Sequence, residues 1–450
     1  MVDHNQKSTI NNSFPSRLGL LFQSLKNKPS ELFFLLFPLS ILIGKSAMDI
    51  TVSLAAVFFI VQSLYLRKWD WVRQKWVVVL LVLWAYMVAR SFFVEDILTS
   101  LKVSFLYGRY FIFAAFFSTA CSQSSNLSNK IKLVLKGVIL FICVDTLAQY
   151  FFGANLFGHV SKFGHRLTGL FSRPLVGVYL SWLSFPIISD FFQRACVSKD
   201  YKKTVYPFLK CLGFALVTFL TIYASGERTA FLGALLCYGL MILFNFSVKR
   251  LVLGGVLVGV LLSSVAAFII LNGLIQKKQS IQATSSDTPS LQVKTDVQQR
   301  LISSKSSYHC KGGYGELFAD ALRLARSNII FGIGMDQFKN QCLVNDGVIG
   351  NEKKCTYRHP HNAWLNIFAE LGLVGVSLFC AFFFMIARQL RSKWHKYKSN
   401  GLIIGFACVL AYRFFPIAGG MSIFLSNNAP ILWFLIGWLM LLLNESHKKH

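Results

Sequence analysis

Runs of apolar residues long enough to cross a bilayer divide this chain, and they limit its fold more than any other feature. About twenty apolar residues span the hydrocarbon core. Irregular backbone survives there only where protein or water-filled space surrounds it. About twelve such runs are read: 32–44, 50–66, 77–93, 103–121, 133–152, 174–192, 207–223, 230–246, 251–275, 363–387, 402–420 and 429–443. Composition agrees, with 54% hydrophobic and only 14% charged residues and a mean hydropathy of +0.52, far from a soluble domain. The expected fold class is therefore an all-α polytopic membrane protein of about 12 transmembrane helices. Residues 1–31 and 445–450 are its tails, 32–275 hold spans 1–9, 276–361 form one large loop, and 362–444 hold spans 10–12.

Charge supplies the orientation. The 46 Lys+Arg against 19 Asp+Glu give a formal net charge of +27. In a membrane protein such an excess concerns topology and anionic headgroups before nucleic acid, and no nucleic-acid-binding module is legible. Every second connection is basic: Lys26 and Lys28, Arg67 to Lys75, Lys130 and Lys132, Arg194 to Lys203, Lys249 and Arg250, Arg388 to Lys398, and the C-terminal lysines. These connections are expected to be cytoplasmic, with both termini, so the 276–361 loop faces outward. No cleavable signal peptide is read before the first run. Most of the ten Cys lie in apolar runs and read as small apolar packers. Cys310, Cys342 and Cys355 share the long loop, where an oxidising compartment would allow one disulfide of unassigned pairing.

Within that loop, Tyr314 to Arg326 places Leu317, Phe318, Ala321, Leu322, Leu324 and Ala325 on one helical face, with Glu316, Asp320, Arg323 and Ser327 opposite. Such a helix could lie on the bilayer surface or pack on the bundle. Gly332-Ile333-Gly334 then breaks it. No strand precedes these glycines, so they are not read as a nucleotide fingerprint.

No P-loop, HExxH or GxSxG is present. The candidate chemistry lies in ionisable residues at the outer ends of spans: Arg166, Arg228, Arg300 and His361. Arginines hold phosphate oxygens bidentately and keep their charge, so a cluster of them can bind pyrophosphate without a divalent metal. The outward acids are scattered and suggest no metal site. His361 sits in Arg358-His359-Pro360-His361-Asn362, just before an apolar helix. A helix N-terminus disfavours an imidazolium, and a neutral imidazole can take a proton. The alternatives are a capping role for the histidine and headgroup contacts for the arginines. Glu227 is a rival base or an ion-pair partner of Arg228, and His359, Asn362 and Arg358 are further candidates.

His361-Asn362, nine residues, then Gly372-Leu373-Val374-Gly375 resembles the signature of the O-antigen ligase (WaaL) family and its Wzy-like relatives. Gly226-Glu227-Arg228-Thr229-Ala230 and Arg166-Leu167-Thr168-Gly169 resemble that family's two outward arginine segments. The resemblance implies a GT-C-like fold with one large periplasmic loop between spans 9 and 10. It implies a metal-independent, inverting glycosyltransferase of the bacterial inner membrane that needs no cofactor. The donor would be O-antigen on undecaprenyl pyrophosphate, and the acceptor lipid A–core oligosaccharide. His361 and Arg228 would be catalytic, with Arg166, Arg228 and Arg300 on the pyrophosphate. Here 301–313 separate Arg300 from the loop helix, where the family tends to place an arginine directly before it. An O-antigen polymerase or a protein O-oligosaccharyltransferase would share fold and donor and differ in acceptor. A secondary transporter is the reading from another class, opposed by the lack of an internal repeat.

Overall fold

The computed structural model describes residues 29–120, 126–244, 247–284, 314–341, 343–345, 352–354, 359–416, 420 and 422–445. Among the described residues, nine long helices precede the loop: α1 (Pro29–Ile43), α2 (Lys45–Leu66), α3 (Lys75–Arg90), α4 (Ile97–Ala120), α5 (Leu127–Phe152), α6 (Val176–Val197), α7 (Tyr201–Ala224), α8 (Arg228–Leu243) and α9 (Val248–Thr284). The loop contributes α10 (Tyr314–Ser327), one helical turn α11 (Phe338–Gln341), and an antiparallel pair, β1 (Leu343–Asn345) with β2 (Glu352–Lys354). Then follow α12 (Ala363–Ser392), the short α13 (Trp394–Tyr397), α14 (Gly401–Arg413) and α15 (Ala429–Glu445).

Each of the twelve apolar runs falls on one of the long helices. Among the described residues, five helices are long and apolar enough to cross a membrane: those over Lys45–Leu66, Lys75–Phe93, Lys202–Ala224, Val248–Ile270 and Ala363–Ser392. Their outer faces carry apolar side chains, such as Ile50, Leu54, Val57, Val61 and Leu64 on α2 and Val252, Val256 and Leu262 on α9. An uncovered apolar surface of that extent suits lipid and not water. α15 is apolar all round, and such a helix belongs in the interior. Ile431 to Leu443 are indeed buried. Its two indoles still find acceptors, Trp433 Nε1 donating to Tyr107 Oη at 2.9 Å and Trp438 Nε1 to Ser128 Oγ at 3.1 Å. Phe34, Phe37, Phe113, Phe117 and Phe434 knit α1 and α4 to this helix.

Two boundaries differ from the sequence reading. α14 ends at Arg413 and does not run on to Gly420. Pro416 lies just beyond and disfavours helical backbone at the residue before it. The run 363–387 is not one uninterrupted helix either, because Gly372 adopts φ +61° and ψ −163° in the middle of α12. The break strands backbone groups, and the segment after α10 satisfies them. Ile333 N and Gly334 N donate to Ala369 O and Glu370 O, both at 2.8 Å. Leu373 N and Val374 N donate to Ile329 O and Ile330 O at 2.8 and 3.2 Å. The Tyr86 hydroxyl donates to Phe331 O and Leu371 O, and the Arg90 guanidinium donates to Gly332 O. Of the two roles open to the loop helix, α10 takes packing on the bundle. Leu317, Ala321 and Leu324 are buried with Ile333, Phe338 and Ala369. Asp320, read as part of the polar face, is buried and paired with Arg323 at 2.6 Å.

A Cβ at Gly372 would meet Ile330 O at 2.4 Å, on a backbone that side chains rarely adopt. Gly372→Ala should cost ~3 kcal/mol or more. Gly137→Ala, whose Cβ would meet nothing within 4 Å, should be neutral or slightly stabilising. Thermal unfolding in detergent checks both, and a Gly372→Ala protein as stable as the parent would contradict the role given to the break.

Candidate active site

His361 lies at the entrance to α12 with φ +55°, the left-handed region that a residue with a Cβ seldom occupies. Asn362 is the N-cap, its side-chain oxygen accepting from Leu365 N at 3.0 Å and its amide nitrogen donating to Pro416 O at 2.8 Å. His361 O accepts from Gly420 N, and His361 N donates to His359 Nδ1 at 3.2 Å. The two imidazoles are in contact, tilted by 54° with centroids 4.3 Å apart. Because His359 accepts at Nδ1, its proton when neutral sits on Nε2.

Both rings are held neutral. Burial pushes the His361 pKa below its ordinary value, and the Arg166 charge adds to this. His359 is driven down to about 3 by burial, with His361, Arg413 and Arg173 contributing. The expected neutral imidazole is therefore present at the helix entrance, but its causes are burial and a neighbouring arginine.

Arg166 is carried by an exposed turn between α5 and α6, where Phe163 and Arg166 pair around Gly164. Gln149 pins this loop from below, its oxygen accepting from Thr168 N and Gly169 N at 2.9 and 2.8 Å. Asn155 donates to Gly169 O at 2.9 Å. The α7–α8 turn docks on the same loop. Leu167 N donates to Ser225 O at 3.1 Å, and Gly226 has φ +74° with its α-carbon against the His165 carbonyl. That turn places Arg228 as the exposed first residue of α8.

Glu227 is not the ion-pair partner of Arg228 among the described residues. Its carboxylate accepts from Gly177 N at 2.7 Å and Val178 N at 3.3 Å, so it caps the start of α6 and does not pair with Arg228. Burial pushes its carboxyl up to about 7, against the pull of those two donors and of Arg166. The Arg166 charge thus acts on both Glu227 and His361, which brings the first arginine segment, the second and the histidine into one neighbourhood. Arg300 and Arg358 lie outside the described residues, as do Cys310, Cys342 and Cys355.

Residues 213–380 match the family described as O-antigen ligase, Wzy_C. The resemblance to the O-antigen ligase family holds. Members are glycosyltransferase-like enzymes acting on O-antigen, and the matched segment runs from α7 into α12. No curated protein matches the chain. Arg228, Glu227 and His361 fall inside the O-antigen ligase segment, and Arg166 lies before it.

The sequence reading missed the residues that shape this candidate site from outside the motifs. Arg413 is buried, 5.3 Å from the Trp182 ring, and with Arg173 it adds to the burial and the His361 contact that keep His359 uncharged. A buried arginine in an apolar run was its only advance signal. Gln149 gave none, since its partners are distant in sequence.

Glu227→Gln keeps an oxygen for the Gly177 N–H, so activity should stay within about tenfold of the parent. Glu227→Ala strands the buried Gly177 N–H and the partly buried Val178 N–H and should lower Tm, at ~1–3 kcal/mol for the buried one. Loss of activity in Glu227→Gln by the ~10²–10⁴ typical of a missing base would make Glu227 the proton acceptor instead.

Proposed function

We propose that the protein is an O-antigen ligase of the WaaL type. It transfers O-antigen polysaccharide from undecaprenyl pyrophosphate to lipid A–core oligosaccharide in lipopolysaccharide biosynthesis. The observation that carries this reading is the neutral His361, held in a left-handed turn beside Arg166 within the matched segment. His361 takes the proton of the attacking acceptor hydroxyl. That oxygen bonds to the anomeric carbon as the bond to the pyrophosphate oxygen breaks, with inversion. Undecaprenyl pyrophosphate leaves with its charge carried by Arg228 and Arg166, and by Arg300 from the loop. Arginine forks match phosphate oxygens in geometry as well as charge, so no divalent ion is required. Asn362 and His359 fix the His361 turn, and Arg358 adjoins it in sequence.

The chain is a GT-C-like protein of twelve spans in the bacterial inner membrane. Both termini are cytoplasmic, and the site opens to the periplasm. The alternation of basic connections supports this orientation.

Transfer by purified protein from lipid-linked donor to lipid A–core tests the mechanism. The parent should keep its activity in excess chelator. His361→Ala should lower kcat by ~10²–10⁴ and leave donor affinity near the parent's. Arg228→Ala should weaken donor binding, and Arg228→Lys should remain impaired because the fork is lost. A His361→Ala enzyme working at the parent rate would refute the base assignment. A product in which O-units extend one another would replace ligation with polymerisation.

A further inference from the structure

On the His359 side of the imidazole pair lies a cavity of about 240 Å³ that the arginine segments do not line. Three cations border it: Lys45 at the start of α2, and Lys102 and Arg109 on α4. Both lysines are exposed, and neither pairs with a carboxylate among the described residues. Arg109 uses one arm on Asp49 at 3.1 Å and on the Tyr110 hydroxyl at 3.0 Å. Its buried Nε has no hydrogen-bond partner. Two acids also border the cavity. Asp336 is neutralised by Lys339 at 2.7 Å, and Glu370 is buried. The uncompensated charge at the opening is therefore positive.

The remaining lining is mixed, with Val103, Leu106, Met335 and Leu425 beside groups that a sugar can use. Tyr107 and Phe424 present aromatic rings, and Ser422 and Ser426 present hydroxyls. The volume lies below the ~300–1,000 Å³ of drug-sized sites and suits one substituted sugar residue better than a lipid chain. A phosphate monoester brings about −1.5 to −2 charges and three acceptor oxygens. Two ammonium groups without a carboxylate partner among the described residues match that group better than they match a neutral sugar.

We propose that this cavity binds a phosphate-bearing sugar residue of the acceptor, presenting the acceptor to the histidine pair from the side opposite the donor arginines. The phosphate site stands on the cavity itself, and its assignment to the acceptor rests on the ligase reading. Negative charge on the acceptor then becomes a means of selection. An uncharged saccharide leaves the Lys45 and Lys102 charges without a counter-charge.

The test is binding of phosphorylated mannopentaose and of its phosphatase-treated form to purified protein without donor. The parent should prefer the phosphorylated form by about tenfold or more. The double variant Lys45→Gln/Lys102→Gln should lose that preference, and Lys45→Arg/Lys102→Arg should keep it. Both lysines are exposed, so these variants should fold. In transfer assays the Gln variant should raise KM for lipid A–core by a similar factor and leave the donor KM in place. A parent without preference, or a Gln variant that keeps it, overturns the proposal. So does a rise confined to the donor KM, which would assign the cavity to the donor phosphates. A phosphate preference lost in the Gln variant, with lipid A–core inert as acceptor, would leave the site standing and reject the ligase reading alone.

Discussion

The break in α12 at Gly372 is the constraint on which the rest of the site depends. A helix interrupted in apolar surroundings leaves N–H and C=O groups that no water can satisfy. Here the chain returns from its largest loop to supply the partners, so that 329–334 runs alongside the break and exchanges backbone hydrogen bonds on both sides of it. The approach is close enough that Gly332 and Gly372 would each collide with the opposite backbone if either carried a Cβ. Tyr86 and Arg90 of α3 bind the carbonyls between these, Tyr86 those of Phe331 and Leu371 and Arg90 that of Gly332. The short helix before the break is thereby locked to α3 and α10, and its first turn carries Asn362 and His361. A catalytic side chain on an unsecured loop end would move by more than its chemistry tolerates.

The electrostatics follow from that placement. Two imidazoles are packed against each other among arginines, where protonation would add like charge to a buried cluster. Neutral histidine is the form that accepts a proton, and the arginines that keep it neutral can bind an anionic leaving group. Glu227, the carboxylate nearest to this chemistry in sequence, is used to hold α6 against the α7–α8 turn. Guanidinium groups act on both rings, Arg166 on His361 and Arg413 and Arg173 on His359, and the exposed ammonium groups of Lys45 and Lys102 line the cavity on the His359 side.

The helices were legible because each apolar run is long and bounded by charge, and hydrophobic length is a strong signal. The Gly372 break was not, because glycine is common in membrane helices and its backbone angles depend on a partner segment some forty residues earlier. The overshoot of α14 came from reading hydropathy past Pro416. His361 and the arginines stood out through residue type at span ends. The partners of Glu227 lie fifty residues away, and only the fold shows that its oxygens are taken. Lys45 and Lys102 looked like ordinary residues at the ends of apolar runs until the packing of α2 against α4 put them on one cavity.

The central claim is that His361, and not Glu227, accepts the proton, and the pH dependence of kcat/KM for transfer tests it most directly. A base must be unprotonated to work, so activity falls as pH drops through its pKa. His361 is held below its ordinary value of 6.5, whereas Glu227 is pushed up to about 7. The account predicts a plateau through neutral pH and an acid limb whose midpoint lies below 6.5. An acid limb centred near 7 that disappears in Glu227→Gln would contradict it.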